Sequence, residues 1–115
     1  MNILENLNII LINLDIPFAT GHYGGTPPDT YVVIVPLADS FAHCADNRPQ
    51  ADIQEARLAL YSKGNYYTLR QRIVNALLSD GFTITDRRYI EYENDTGYHH
   101  AAVDVSKIYH TEEAG

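Results

Sequence analysis

Leu58-Ala-Leu-Tyr-Ser-Lys-Gly-Asn-Tyr-Tyr-Thr-Leu-Arg-Gln-Arg-Ile-Val-Asn-Ala-Leu-Leu-Ser-Asp-Gly-Phe-Thr-Ile84 reads as strand, turn, helix, glycine stop and strand. Leu69, Ile73 and Leu77 recur at spacing four, with Val74 and Leu78 one step round the same face. Arg70, Gln71, Arg72 and Asn75 take the wet side, which completes a helical period. Asn65 fits the N-cap, because its side-chain oxygen accepts an N–H of the first turn. Gly81 stands where a left-handed residue ends a helix, with Phe82 to cover it. A helix of roughly 15 residues with one apolar face is not stable alone in water and needs a sheet to lie on.

Residues 51–62 decide whether the chain can supply that sheet. Ala-Asp-Ile-Gln-Glu-Ala-Arg-Leu-Ala-Leu-Tyr-Ser is rich in helix formers. At period two, however, Ala56, Leu58 and Leu60 share one face, and Glu55, Arg57, Ala59 and Tyr61 share the other. The short Ser-Lys-Gly-Asn link to the next helix also suits a strand, so a strand is expected. Tyr31–Val35 is a continuous apolar run, which implies cover on both faces and an interior place in the sheet. Pro36 weakens its far end. Residues 39–50 read as polar and irregular, with a turn at Asp46-Asn47-Arg48-Pro49.

Two further strands, Phe82–Glu93 and Tyr98–Tyr109, bracket Asn94-Asp95-Thr96-Gly97, a turn in which Gly97 is free to take positive φ. Upstream, Ile3, Leu4, Leu7, Ile10, Leu11 and Leu14 form a second helical stripe, ended by Asp15-Ile16-Pro17. Residues 17–30, with three glycines and three prolines, read as a connection with at most a short strand near Phe18–His22. That loop and the acidic tail 111–115 are expected to be mobile. The expectation is one α+β domain over residues 1–115, with two helices packed on one face of a four- or five-stranded, mainly antiparallel sheet. Its core should hold Leu69, Ile73, Leu77, Val33, Val35, Leu58, Leu60, Val103 and Val105.

The 115 residues suffice for a single core, and no run is long and apolar enough for a membrane helix. The apolar run Leu7–Leu14 lacks a basic flank and is broken by Asn8 and Asn13, so it does not read as a signal peptide. A single cysteine, Cys44, permits no internal disulfide and fits a reducing compartment. The formal charge of −7 argues against a surface that grips nucleic-acid phosphates. Nine tyrosines with no tryptophan suit half-buried sheet faces and subunit contacts alike.

Chemistry-bearing residues are sparse. The glycine-rich loop lacks the Lys-Ser/Thr ending and the strand–helix setting of a phosphate-binding loop. His43-Cys44 and His99-His100 do not supply the paired spacing of a structural zinc site. A Cys44 nucleophile with a histidine base has no surrounding signature to support it. Glu91, Glu93 and Asp95 fit a carboxylate pair or a cation site, and fit a solvated, charge-dressed edge equally well. No catalytic residue, metal or cofactor is expected.

Leu60-Tyr-Ser-Lys63 followed by Asn65-Tyr-Tyr67, a helix ending in Gly81-Phe-Thr-Ile84, and Glu93-Asn-Asp-Thr-Gly-Tyr-His99 together resemble a family of small tail proteins of tailed bacteriophages and prophages. These are the head-to-tail joining or tail-terminator (tail-completion) proteins. The Gly- and Pro-rich loop before Tyr31-Val32-Val33 and the Asp46-Asn47 turn extend the likeness over most of residues 14–109.

The resemblance implies a compact α/β domain that assembles as a ring, typically hexameric, between the tail tube protein and the head connector. DNA would pass through that ring without sequence-specific binding. It implies a virion component with no catalytic residues, made in the bacterial cytoplasm, and leaves terminator, head-completion and minor tail roles open. The candidate subunit contacts are Tyr23 and Gly24 in the long loop, and Glu91, Glu93, Asp95, Tyr98 and His99 in the last hairpin. The alternative is a small cytosolic enzyme or ligand-binding domain using the Gly21–Pro28 loop with nearby histidines.

Overall fold

The computed structural model describes residues 1–41 and 51–110. Their order is α1 (Ile3–Asn13), β1 (Phe18–Thr20), β2 (Thr30–Phe41), β3 (Ala51–Ser62), α2 (Tyr66–Ser79), β4 (Thr83–Tyr92) and β5 (His99–His110). The strands form one five-stranded sheet in the order β1-β2-β3-β5-β4. Every pairing is antiparallel except β1 with β2, which is parallel. Both helices lie on one face, so the expected α+β architecture is the observed one.

β3 resolves its conflict as a strand. Its alternate residues Ala56, Leu58 and Leu60 are fully buried beneath the helices, and its neighbours continue the same rows. Ile34, Leu58 and Val103 lie side by side across three strands, as do Val32, Leu60 and Ala101. Onto these rows α1 lays Leu7 and Leu11, and α2 lays Leu69, Ile73, Val74 and Leu77. Burying each such aliphatic side chain contributes roughly 1.5–3 kcal/mol, which outweighs the modest helix propensity of residues 51–62.

Both helices are closed by the same device. Gly81 takes φ +84°, while Gly81 N–H donates to the Leu78 carbonyl (3.2 Å) and Phe82 N–H to that of Leu77 (3.0 Å). At the end of α1, Asp15 takes φ +58°, with Asp15 N–H on the Ile12 carbonyl (3.0 Å) and Ile16 N–H on that of Leu11 (3.1 Å). The stop therefore acts before Pro17 does. At the start of α1, Asn2 and Glu5 form a reciprocal capping box, and Asn65 caps α2 through its side-chain oxygen, 3.1 Å from the Thr68 N–H.

Three sequence expectations need correction. In β2 the helix-facing residues are Val32 and Ile34; Val33 is buried on the opposite face and Val35 is only half-buried. A continuous apolar run carries no alternation, so the sequence leaves its inward parity open. β2 also runs on to Phe41, because a register shift between Pro36 and Ala38 absorbs the proline. Residues 39–41 are thus strand, whereas the turn expected at Asp46–Pro49 lies outside the described residues. Leu78 points away from the sheet and is 55% exposed. The short strand expected near Phe18–His22 is present as Phe18–Thr20 and joins the sheet in parallel, alongside Val32–Ile34.

A polar knot ties the two helices to β5. The buried Asn6 donates from Nδ2 to Asp80 Oδ2 (2.6 Å) and accepts at Oδ1 from Lys107 Nζ (3.0 Å) and Tyr109 Oη (2.8 Å). Lys107 also donates to the Asp80 carbonyl at 2.6 Å, which holds a carbonyl of the α2 terminus. The Asn6 hydrogen bond, then Lys107, holds the Asp80 carboxyl below its ordinary value of 3.8, against a smaller opposing effect of burial. Burial, with the Asp80 charge, pushes the Tyr109 hydroxyl up to about 12.

Truncation of Ile73 or Leu77 to alanine should cost about 2–5 kcal/mol in chemical denaturation, whereas Leu78→Ala should stay within about 0.5 kcal/mol. Because the folded state holds the Asp80 proton less tightly than the unfolded chain, Asp80 contributes stability above pH 3.8. That contribution is lost as the pH falls through the lower folded value. Unfolding curves taken across that interval should therefore be flatter with pH in Asp80→Asn than in the natural chain.

Candidate functional site

The helix-free face carries a row of aromatic side chains at the end of the sheet where the β4–β5 hairpin turns. The backbone register aligns Tyr31 on β2 with Tyr61 on β3, Tyr61 with His100 on β5, and His100 with Glu91 on β4. The Tyr31 and Tyr61 rings stack with centroids 4.7 Å apart and 8° between planes; Tyr61 and His100 stack at 4.3 Å and 14°. Each such pair contributes about 0.5–1.5 kcal/mol beyond the area it buries. Further along the same face, Ala59 pairs with Ala102 and Arg57 with Asp104. Arg57 and Asp104 form a bidentate ion pair, with Nε–Oδ1 at 2.7 Å and Nη2–Oδ2 at 3.0 Å.

Tyr98 locks this row to the long loop. Its ring stands edge-on to Tyr31, at 5.4 Å, and to Tyr61, at 6.2 Å. Its hydroxyl donates to the Pro28 carbonyl at 2.7 Å. Lys63 lies over the Tyr98 ring at 4.9 Å, while its N–H donates to the Asp29 carbonyl at 3.0 Å. The two separate contact surfaces expected from sequence are therefore neighbours at one end of the sheet.

The individual expectations divide. Gly24, Glu91 and Asp95 are exposed; Tyr23, Glu93 and His99 are half-buried. Tyr23 is not a free anchor, because its ring packs 5.0 Å from Tyr31. Tyr98 is only 5% exposed, so it belongs to the chain's own interior and not to a contact surface. A tyrosine next to a turn carries no sequence mark of which way it points. His43 and Cys44 lie outside the described residues.

His99 and His100 occupy opposite faces, as adjacent residues of a strand must, and do not act as a pair. His99 lies on the helix side, where Tyr89 Oη is 3.0 Å from His99 Nδ1 and the Tyr66 and Tyr92 rings lie 5.4 and 5.0 Å away. His100 instead joins Glu91 and Glu93, with one ligand atom from each of the three within 4.8 Å of the others. The sequence considered Glu91 and Glu93 with Asp95, and His100 with His99. The signal that regroups them was present: a turn at Asn94–Gly97 with Glu93 opposite Tyr98 places Glu91 opposite His100.

Electrostatics at this end follow from burial beside carboxylates. Tyr31 is pushed up to about 12, mainly by burial, then by Tyr61, Tyr98 and Glu93. Tyr61 is raised by burial and by Glu93 and Glu91. His100 is lowered, because burial and Arg57 disfavour the imidazolium more than Glu93 and Glu91 favour it. These tyrosines thus stay protonated at neutral pH and serve as packing surfaces.

Neither any protein-family model nor any curated protein matches the chain.

Tyr98→Phe keeps the ring and removes the hydroxyl, so it should cost about 0.5–1.5 kcal/mol in urea unfolding. Tyr98→Ala, which empties the site between loop and sheet, should cost about 3–5 kcal/mol.

Proposed function

We propose that the chain is a structural ring subunit of a phage or prophage tail, acting as a tail terminator or head-to-tail joining protein. The observation that carries this reading is the pair of unlike open edges on the sheet. Among the described residues, β4 is unpaired along its outer side, and β2 loses its outer neighbour where β1 ends at Thr20 alongside Ile34. A contact from β4 of one copy to the outer half of β2 of the next is head-to-tail, and a head-to-tail contact closes into a ring when its rotation allows. Strand addition at such an edge supplies main-chain hydrogen bonds without requiring a pocket.

Side chains at the two edges support this contact. Tyr89, Ile90 and Tyr92 on β4 are 43%, 42% and 49% exposed, and Leu37 on β2 is 47% exposed. Arg87, Arg88 and Glu91 also dress β4, so the part of that edge that invites pairing is its apolar end at Tyr89, Ile90 and Tyr92. The family resemblance, which implies helices packed on an antiparallel sheet, points the same way, and the charge of −7 suits a ring through which DNA must slide. Its partners would be copies of itself, the tail tube protein and the head connector.

Tails assembled without this protein should have abnormal length or fail to join heads. Normal length and normal joining in its absence would sink the proposal. Because Tyr98 is interior, the contact is best tested at the edges, with Ile90→Lys and Leu37→Lys. Each should leave the monomer folded and block ring closure on the tail. Tail assembly that is unaffected by both would place the ring contact elsewhere.

A further inference from the structure

We infer that Glu91, Glu93 and His100 form a binding site for a single divalent transition-metal ion, of the class of Zn²⁺ or Mn²⁺, on the helix-free side of the β4–β5 hairpin. The inference stands independently of the ring reading. Its basis is a mixed donor set gathered from two adjacent strands: two carboxylates and one imidazole, with a ligand atom from each within 4.8 Å of the others. Donor atoms on one tetrahedral ion at about 2.0–2.2 Å lie about 3.3–3.6 Å apart. Closing onto an ion takes side-chain movement of about an ångström, and the exposed Glu91 side chain is free to supply it.

The three donors are positioned by the fold. Glu91 and His100 are register partners, and the hairpin beyond them is clamped by Glu93 N–H on the Tyr98 carbonyl (2.8 Å) and Gly97 N–H on the Glu93 carbonyl (2.7 Å). The His100 ring is held flat against Tyr61, which is itself stacked on Tyr31, so its orientation is set before any ion arrives. Thr96 Oγ1 donates to Glu93 Oε1 at 2.9 Å, the kind of outer contact that orients a ligating carboxylate.

Charge favours a cation at this place. Among the described residues no lysine or arginine pairs with Glu91 or Glu93: Arg57 is committed to Asp104, Arg88 to Asp86 and Lys63 to Asp29. The nitrogen donor selects the class of ion. Calcium and magnesium favour all-oxygen surroundings, whereas imidazole beside carboxylates suits the borderline first-row ions, with water completing the coordination.

The test is calorimetric titration of tag-free, chelator-stripped protein with ZnCl₂ and with MnCl₂. One ion of at least one of these metals should bind per chain, equally well in Cys44→Ser, which removes the only thiol. Glu93→Gln and His100→Phe should each weaken binding at least about tenfold. Their circular dichroism and metal-free melting should match those of the natural chain, since phenylalanine preserves the stack on Tyr61. His99→Ala, altered on the other face, should bind as the natural chain does. If His100→Phe does not fold, Glu91→Gln carries the test, because its side chain is exposed. The absence of saturable binding by both ions, undiminished binding in the ligand variants, or binding lost only in Cys44→Ser would each overturn the site.

Discussion

Two helices of 11 and 14 residues must hide their apolar faces on one surface, and the centre of that surface is a single strand, β3. It pairs with β2 on one side and β5 on the other, and its Ala56, Leu58 and Leu60 are wholly buried beneath the helices. If this segment were a helix, β2 and β5 would lose their common neighbour, and Ile73 and Leu77 would have no continuous floor. The alternation of β3 is therefore what the remaining pairings depend on. Packing decides against local propensity here, because several fully buried aliphatic side chains outweigh the few tenths of a kcal/mol per residue that favour a helix.

One-sided cover leaves the second face of the sheet to protect itself. It does so with small residues and flat ones. Ala59 and Ala102 are 7% and 2% exposed although no helix covers them. Along the strands they are flanked by the Arg57–Asp104 ion pair on one side and the Tyr61–His100 stack on the other. Tyrosine suits this role because its ring packs while its hydroxyl reaches water or a carbonyl, as Tyr98 does at Pro28. The tyrosine-rich, tryptophan-free composition thus has a structural use within the domain. The same concentration of rings at the hairpin end brings the long loop and the last two strands together as one surface.

The two ends of the sheet are built differently. At the end where α2 terminates, Asn6, Asp80, Lys107 and Tyr109 bind the helical layer to β5 through hydrogen bonds that leave little polar capacity unused. At the hairpin end, the carboxylates of Glu91 and Glu93 lie beside the fixed ring of His100, and among the described residues no lysine or arginine pairs with them. The first arrangement consumes its charges in holding the fold. The second leaves them available, and the open edge of β4 runs beside them.

The sequence by itself determined the element types, the helix caps and stops at Asn65 and Gly81, the hairpin tip, and the inward parity of β3 and β5. Each of these depends on neighbours close in the chain: a period of 3.6 or 2, a capping side chain, or a glycine free to take positive φ. Tertiary structure decided what depends on distant partners. Val32 and Ile34, not Val33 and Val35, face the helices, because an unbroken apolar run has no alternation to announce its register. Leu78 lies outside, about 100° round the helix from Leu77 and beyond the residues that meet the sheet. The parallel placement of β1 and the interior position of Tyr98 arise from chain crossings and packing that no local pattern encodes.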